Sequence, residues 1–252
     1  MRIELLYNPR LLVERIAIES LRYRRLAKIK KTIASRLKIG HIDSLELLEL
    51  AKSQSPNVIY DIGANIGTWT LLAKAIIPQA SIHAFEPLNV FHDRFNQETQ
   101  DIHDITLHKV ALGSKPDKLN MQVTSYSDAS SLLQIGDATK DYFGITKERE
   151  ELVDVVCLDD YVSNFNLPLP DLIKLDIQGY ELEAMRGAIK CLNHATFIIC
   201  EVSFVEFYKG QALFPEIVSF LSDHNFMFYA LGANTPIGQK ISQTDVLFVK
   251  QS

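Results

Sequence analysis

The residues of this sequence best placed to do chemistry are acids that close short apolar runs. Asp61 follows Val58-Ile59-Tyr60, Glu86 follows Ile82-His83-Ala84-Phe85, and Asp176 follows Leu172-Ile173-Lys174-Leu175. Glu201 follows Phe197-Ile198-Ile199-Cys200 in the same way. Beyond Asp61 comes a loop with small residues at alternate positions, Gly63, Asn65 and Gly67, in the pattern Asp-x-Gly-x-Asn-x-Gly. Gly63 can take backbone angles closed to other residues, and Gly67 allows helix, strand and ligand to approach closely. A dinucleotide fingerprint would need glycines at 63, 65 and 68, where the chain has Gly63, Asn65 and Thr68. Asp61 would repel a pyrophosphate and attract an ammonium group. Glu86 lies 19 residues beyond Gly67 (86 minus 67), a spacing that suits hydrogen bonds to ribose hydroxyls. A nucleoside carrying an amino acid in place of phosphates satisfies both acids, and S-adenosylmethionine is the common one.

These residues need a scaffold that brings strand ends together. Val58 to Ile62 reads as a strand, and Thr68 to Ile77 has helical apolar spacing, which is the opening unit of a doubly wound α/β domain. Val90 to Gln100 reads as the next helix, and Ile105 to Leu112 as a third strand. In such a sheet the residues after the third strand, Val110 and Ala111, border the adenine. Leu172 to Ile177 and Phe197 to Glu201 are the fourth and fifth strands, with a helix over Glu181 to Cys191 between them. Phe204 to His224 is expected to be mostly helical, broken at Gly210 and Pro215. Phe226 to Leu231 and Asp245 to Lys250 are final strands joined by a turn around Gly232 to Gly238, which predicts an antiparallel finish.

Two segments depart from this rhythm. Gly113 to Val156 holds two alternating stretches, Leu119 to Ser125 and Leu152 to Leu158, around a polar segment that includes Tyr126 and Asp128. An insertion of this length in an α/β core tends to carry function. Residues 22–38 hold eight basic residues and no acid, with Leu26, Ile29, Ile33 and Leu37 at helical spacing. They predict a basic amphipathic helix that either packs on the main domain or rests on an anionic membrane surface. Asp43 or Ser44 could cap a second helix over Leu45 to Lys52. Residues 1–55 are therefore expected to form an N-terminal helical extension, and residues 56–252 the cofactor-binding domain.

Composition bounds the alternatives. With 252 residues, 47% of them hydrophobic, the chain can bury one sizeable core. A net charge of −5 implies no general attraction to nucleic acid. The three cysteines show neither C-x-x-C nor a zinc spacing, no metal-ligand pattern stands out, and no apolar stretch approaches membrane-spanning length. A reducing, cytoplasmic setting is the expectation, with a membrane-peripheral one as the variant.

At this level of detail the chain resembles an FkbM-family S-adenosylmethionine-dependent methyltransferase, over roughly Val58 to Lys250. The resemblance rests on Asp61 to Gly67, Phe85-Glu86-Pro87, Leu158-Asp159-Asp160-Tyr161 and Lys174-x-Asp176-x-x-Gly179-x-Glu181. It implies the Rossmann-like class I methyltransferase fold, a seven-stranded mostly parallel sheet with an antiparallel last strand. It also implies methylation of hydroxyl groups on sugars and secondary metabolites. Gln178 stands where the family commonly has an acid, so the role of that carboxylate is open here.

The resulting expectation is methyl transfer to a hydroxyl of a small-molecule or glycan acceptor. Asp61 would hold the methionine amino group, Gly63, Asn65 and Gly67 would shape the floor, and Glu86 would hold the ribose. Lys174 and Asp176 share a strand face, so they either pair or serve a site, because unpaired buried charges are too unfavourable. Asp176 is the first candidate for general base or substrate orienter, Glu201 the second and Glu181 the third. His83 and His108 lie inside strands and read as core residues. A protein that keeps the fold but only binds the nucleoside is one rival, and a nicotinamide oxidoreductase is another. The oligomeric state is not legible.

Overall fold

The computed structural model describes residues 9–237 and 240–251. The central sheet contains β1 (Val58–Ile62), β2 (Ser81–Phe85), β3 (Ile105–His108), β7 (Leu172–Leu175), β8 (Phe197–Ser203), β9 (Phe226–Ile237) and β10 (Lys240–Lys250). Their order is β3-β2-β1-β7-β8-β10-β9. Every neighbouring pair among β3, β2, β1, β7 and β8 is parallel, and β10 is antiparallel to both β8 and β9. This is the seven-stranded, mostly parallel sheet with an antiparallel last strand that the family resemblance implies. β1 and β7 are buried along almost their whole length, as central strands covered on both faces must be. The carboxyl ends of β1, β7 and β8 thus lie side by side at the point where the strand order reverses, the place for a ligand in an open α/β sheet.

Helices α3 (Thr68–Ile76), α4 (Asn89–Thr99), α6 (Leu158–Phe165), α7 (Glu181–Arg186), α8 (Ile189–His194) and α9 (Phe214–Asp223) flank the sheet. One apolar layer gathers Tyr60, Phe85, Ile173, Met185, Ile198 and Phe248. On the other side a second layer gathers Ile59, Leu72 and Ile82 together with Leu26, Leu45 and Leu48 of the N-terminal segment. That segment contains α1 (Pro9–Ile29) and α2 (Leu45–Ala51).

Several expectations are corrected. The basic helix does not run to Lys38: α1 stops at Ile29, and residues 30–38 turn back so that Ala34 and Leu37 enter the core while Ile33 stays 47% exposed. Arg22 and Arg25 point inward to Asp43 and Glu46, and Arg36 meets Glu98. The third strand ends at His108. Ala111–Leu112 forms β4, which leaves the main sheet because β6 (Lys147–Val156) offers it a parallel edge. β6 also pairs antiparallel with β5 (Asp117–Thr124), so the insertion is a three-stranded sheet in the order β4-β6-β5. Between β5 and β6 lies α5 (Asp137–Phe143).

The helix expected over Glu181 to Cys191 is broken into α7 and α8 at Gly187. A Cβ there would stand 2.1 Å from the Gly113 carbonyl oxygen, a contact only glycine permits. The mostly helical reading of Phe204 to His224 holds only from Phe214, and residues 204–213 form a loop. β9 continues through Gly232 to Ile237, where part of the turn is expected from sequence, and positions 238 and 239 lie outside the described residues.

Candidate active site

β1 delivers Asp61 to the foot of the Asp-x-Gly-x-Asn-x-Gly loop, where it is fully buried. Its Oδ2 accepts the Thr70 hydroxyl at 2.5 Å, and its Oδ1 lies 3.3 Å from Lys174 Nζ. The loop above turns sharply, with φ of +85° at Gly63, +47° at Asn65 and +86° at Gly67. A Cβ on Gly63 would stand 1.9 Å from the Asp176 carbonyl oxygen, so glycine is obligatory where the β1 and β7 loops cross. At Gly67 the neighbour is the Phe95 ring of α4, which a Cβ would meet at 3.1 Å.

Glu86 ends β2 with its carboxylate almost fully buried. It accepts the backbone N–H of Asn65 and of Leu88, each at 2.9 Å, and so clamps the loop to the segment entering α4. Burial pushes its carboxyl up to about 7, against the two backbone donors that favour the charged form.

Lys174 on β7 ties the centre together. Its ammonium donates to the Gly63 carbonyl oxygen at 3.1 Å and lies 3.6 Å from Asp176 Oδ2 as well as beside Asp61. Burial alone would pull the ammonium down, but Asp61, Asp176 and Asp245 outweigh it and hold it above its ordinary value. The two readings of Lys174 and Asp176 therefore meet: Asp176 is paired, yet its side chain is 35% exposed and faces the cavity.

Past Asp176 the chain makes a clasp. Glu181 Oε1 accepts the backbone N–H of Ile177 at 2.9 Å and of Gly179 at 3.1 Å. The Glu181 carboxyl is buried, which raises it to about 7. Gln178 Nε2 donates to Asp176 Oδ1 and to Glu201 Oε2, both at 2.8 Å. Glu201 on β8 is raised well above the ordinary carboxylate range, first by burial and then by Asp176, Asp245 and Glu181. Asp245, opposite Glu201 in the β8–β10 register, is pushed up to about 6 by burial and by Asp176. Ser44 does not cap α2 with its side chain; its hydroxyl donates to Asp245 across the fold.

A cavity of about 760 Å³ lies over these strand ends, a size suited to a cofactor and a small substrate. Its lining sorts the expected residues into two groups. Gly63, Asn65, Val110, Ala111, Asp176 and Glu201 form part of the wall, whereas Asp61, Gly67, Glu86 and Glu181 stand behind it. His83 and His108 also lie away from the wall. Half-buried His83 and buried His108 have ring nitrogens 3.0 Å apart, His108 stacks on Phe85, and burial lowers both rings.

The wall of the cavity includes the apolar residues Phe85, Val110, Leu112 and Met121, the residues of the tight loop from Gly63 to Ile66, and the Asp176–Gln178–Glu201 group. Apolar surface for a purine, a glycine-shaped loop for a ribose with an amino-acid arm, and carboxylates for a cationic centre are all present, so the residues fit S-adenosylmethionine. Among the described residues no His, Cys, Asp and Glu cluster is arranged to hold a metal ion. Lys38, His41 and Ser44 of the N-terminal segment, Tyr126 of the insertion and Tyr208 complete the wall. Motif spacing missed these, because each comes from a segment distant in sequence and lacks a repeating pattern.

Strand order, the antiparallel β10 and the loop over β1 define a class I methyltransferase fold. The FkbM methyltransferase domain model matches residues 61–228, and the chain belongs to that family. Over 163 residues it is 24% identical to the hexuronic acid methyltransferase AglP of Haloferax volcanii, covering 65% of this chain and 62% of that protein. It is 28% identical over 152 residues to Methyltransferase 1 of Beauveria bassiana, covering 55% and 61%. It is 26% identical over 183 residues to the 2-O-methyltransferase NoeI of Sinorhizobium fredii, covering 70% and 75%. The chain thus spans about three fifths of the length of the first two relatives.

Proposed function

We propose that this protein transfers a methyl group from S-adenosylmethionine to a hydroxyl of a sugar or other small-molecule acceptor. The observation that carries the reading is the single cavity that joins the tight loop over β1 to the carboxylates of Asp176 and Glu201. S-adenosylmethionine, when bound, supplies a methyl carbon activated by a sulfonium. Phe85, Val110 and Ala111 would border the adenine, and the backbone from Gly63 to Asn65 would shape the floor. Asp61 and Glu86 act from behind that floor: Asp61 through Thr70 and Lys174, Glu86 through the Asn65 N–H.

An acceptor hydroxyl must lose its proton as its oxygen attacks, and Asp176, partly exposed on the cavity wall at the end of β7, would take it on a carboxylate oxygen. Glu201, raised by its surroundings, serves as the second group of the pair. Alignment of the two reactants in one cavity can supply about 7–11 kcal/mol of the acceleration. The name of one relative, a hexuronic acid methyltransferase, supports a carbohydrate acceptor for this chain, and that of another, a 2-O-methyltransferase, supports transfer to oxygen.

Thermal melting with S-adenosylhomocysteine tests the cofactor assignment. At about 100 times its dissociation constant the ligand adds about 2.7 kcal/mol, and NADH adds nothing. Transfer of labelled methyl to a panel of sugars then tests the enzyme against a binding protein. Asp176→Asn keeps the ligand-induced shift and loses transfer. No shift with S-adenosylhomocysteine would sink the cofactor reading, and undiminished transfer by Asp176→Asn would remove that residue as base.

A further inference from the structure

The amide of Gln178 stands between the Asp176 and Glu201 carboxyls on the cavity wall. Its two N–H groups go one to Asp176 Oδ1 and one to Glu201 Oε2, both at 2.8 Å, and the Tyr208 hydroxyl donates to its Oε1 at 2.9 Å. The orientation is forced, since a half-turn of the amide would set Oε1 against both acids. The backbone is held to deliver this contact. Gln178 has φ of +56°, left-handed for a residue with a Cβ, and Gly179 follows at +97°. Such a residue persists only where its surroundings over-determine it. Here the Ser131 hydroxyl donates to the Gln178 carbonyl oxygen at 2.7 Å, and Glu181 holds the N–H groups on either side.

We infer that Gln178 is a positioning residue of this site, whose amide clamps Asp176 and Glu201 into one pair and aims the Asp176 carboxylate at the acceptor hydroxyl. The role rests on the reading of Asp176 as proton acceptor. Charged and titratable groups face the pair from several elements: Lys174 from β7, Asp61 from β1, Asp245 from β10, Glu181 from α7, and Tyr208 from the loop before α9. Among these Lys174 is the cation, and it is shared with Asp61 and the Gly63 carbonyl. The Gln178 N–H groups are thus the donors held between the two acids. A donor favours the charged form of a carboxyl, so losing it must raise the proton affinity of Glu201.

Carboxyl-carbon NMR titration of the ligand-free full chain tests this, with the Glu201 signal assigned by its disappearance in Glu201→Gln. Gln178→Met keeps side-chain length and removes both donors. In that variant the Glu201 midpoint is expected to rise by about one pH unit, tenfold in proton affinity. Its affinity for S-adenosylhomocysteine is expected to stay within about twofold of the parent's. Should Gln178→Met not fold, the isosteric Gln178→Glu is expected to move the midpoint the same way, since acceptor oxygens replace the donors. A folded variant of either kind with an unmoved Glu201 midpoint overturns the inference. Failure of the parent protein to bind S-adenosylhomocysteine would instead overturn the proposed function, and the titration would still be readable.

Discussion

Replacing Glu181 by Gln separates a group that holds the site from a group that reacts in it. The Glu181 carboxyl is 4% exposed and commits Oε1 to the N–H groups of Ile177 and Gly179, bonds that a glutamine oxygen can accept equally well. Burial raises the carboxyl from 4.5 to about 7 in the folded state. A raised folded value means that its contribution to stability is fully present below the unfolded value and is lost as pH rises through the folded one. With 4.5 and about 7 as the two values, the loss between pH 5 and pH 8 is about 2–3 kcal/mol. Glu181→Gln carries no proton to lose. Its stability relative to the parent should therefore improve by about 2–3 kcal/mol over that window, read by urea unfolding at each pH. Methyl transfer should survive the change. A stability difference that stays flat from pH 5 to pH 8 would refute the assignment of the raised carboxyl. An equally stable variant that binds cofactor but has lost turnover would return Glu181 to the catalytic list.

Gly63→Ala forces a Cβ to within 1.9 Å of the Asp176 carbonyl oxygen at a left-handed position. It should lower the melting temperature and weaken S-adenosylhomocysteine binding more than about tenfold by calorimetry. Leu48→Ala empties a fully buried site beneath the central sheet and should destabilise by about 2–5 kcal/mol in urea unfolding, as a core leucine of the sheet itself would. A loss below about 0.5 kcal/mol would show that the N-terminal segment packs only loosely. For the anionic-membrane contact proposed for residues 22–38, Arg24, Lys28 and Lys31 are the residues to reverse, since Arg22, Arg25 and Arg36 already face acids. Reversal should abolish low-salt vesicle binding in a flotation assay, and a parent protein that ignores anionic vesicles ends that proposal.

The sheet was legible because its strands are short apolar runs that end in acids, a pattern that burial on both faces imposes on sequence. Val58 to Ile62 and Leu172 to Leu175 show it most clearly. What was not legible followed from contacts made far along the chain. Nothing local at Ala111 says that its backbone will leave the main sheet for the edge of β6. Gly187 breaks a helix because Gly113, more than 70 residues earlier, passes at 2.1 Å. The same limit applies within the site. Asp176 and Glu201 could be placed from strand ends alone, but Ser44 and Asp245 meet through a hydrogen bond spanning 201 residues. A departure from the family pattern, Gln178, was visible in sequence as an anomaly. Its meaning needed the two carboxylates on either side of its amide.

The arrangement of charge explains why so many acids can crowd these strand ends. Asp61, Asp176, Glu201 and Asp245 converge where the ordinary outcome would be mutual repulsion in a medium of low dielectric. Lys174 offsets part of it by touching Asp61 and Asp176 at once, and the carboxyls of Glu201 and Asp245, raised by burial and by Asp176, keep their protons to higher pH than ordinary carboxyls do. The same lysine also grips the Gly63 carbonyl oxygen, so charge balance and loop shape are fixed by one side chain. That links the loop over β1 to Asp176. A change at Asp61, though hidden behind the loop, must reach Asp176 through Lys174, because removing one partner leaves a buried cation seeking another. The loop over β1 and the Asp176–Glu201 group are therefore parts of a single electrostatic unit, with Lys174 as its pivot.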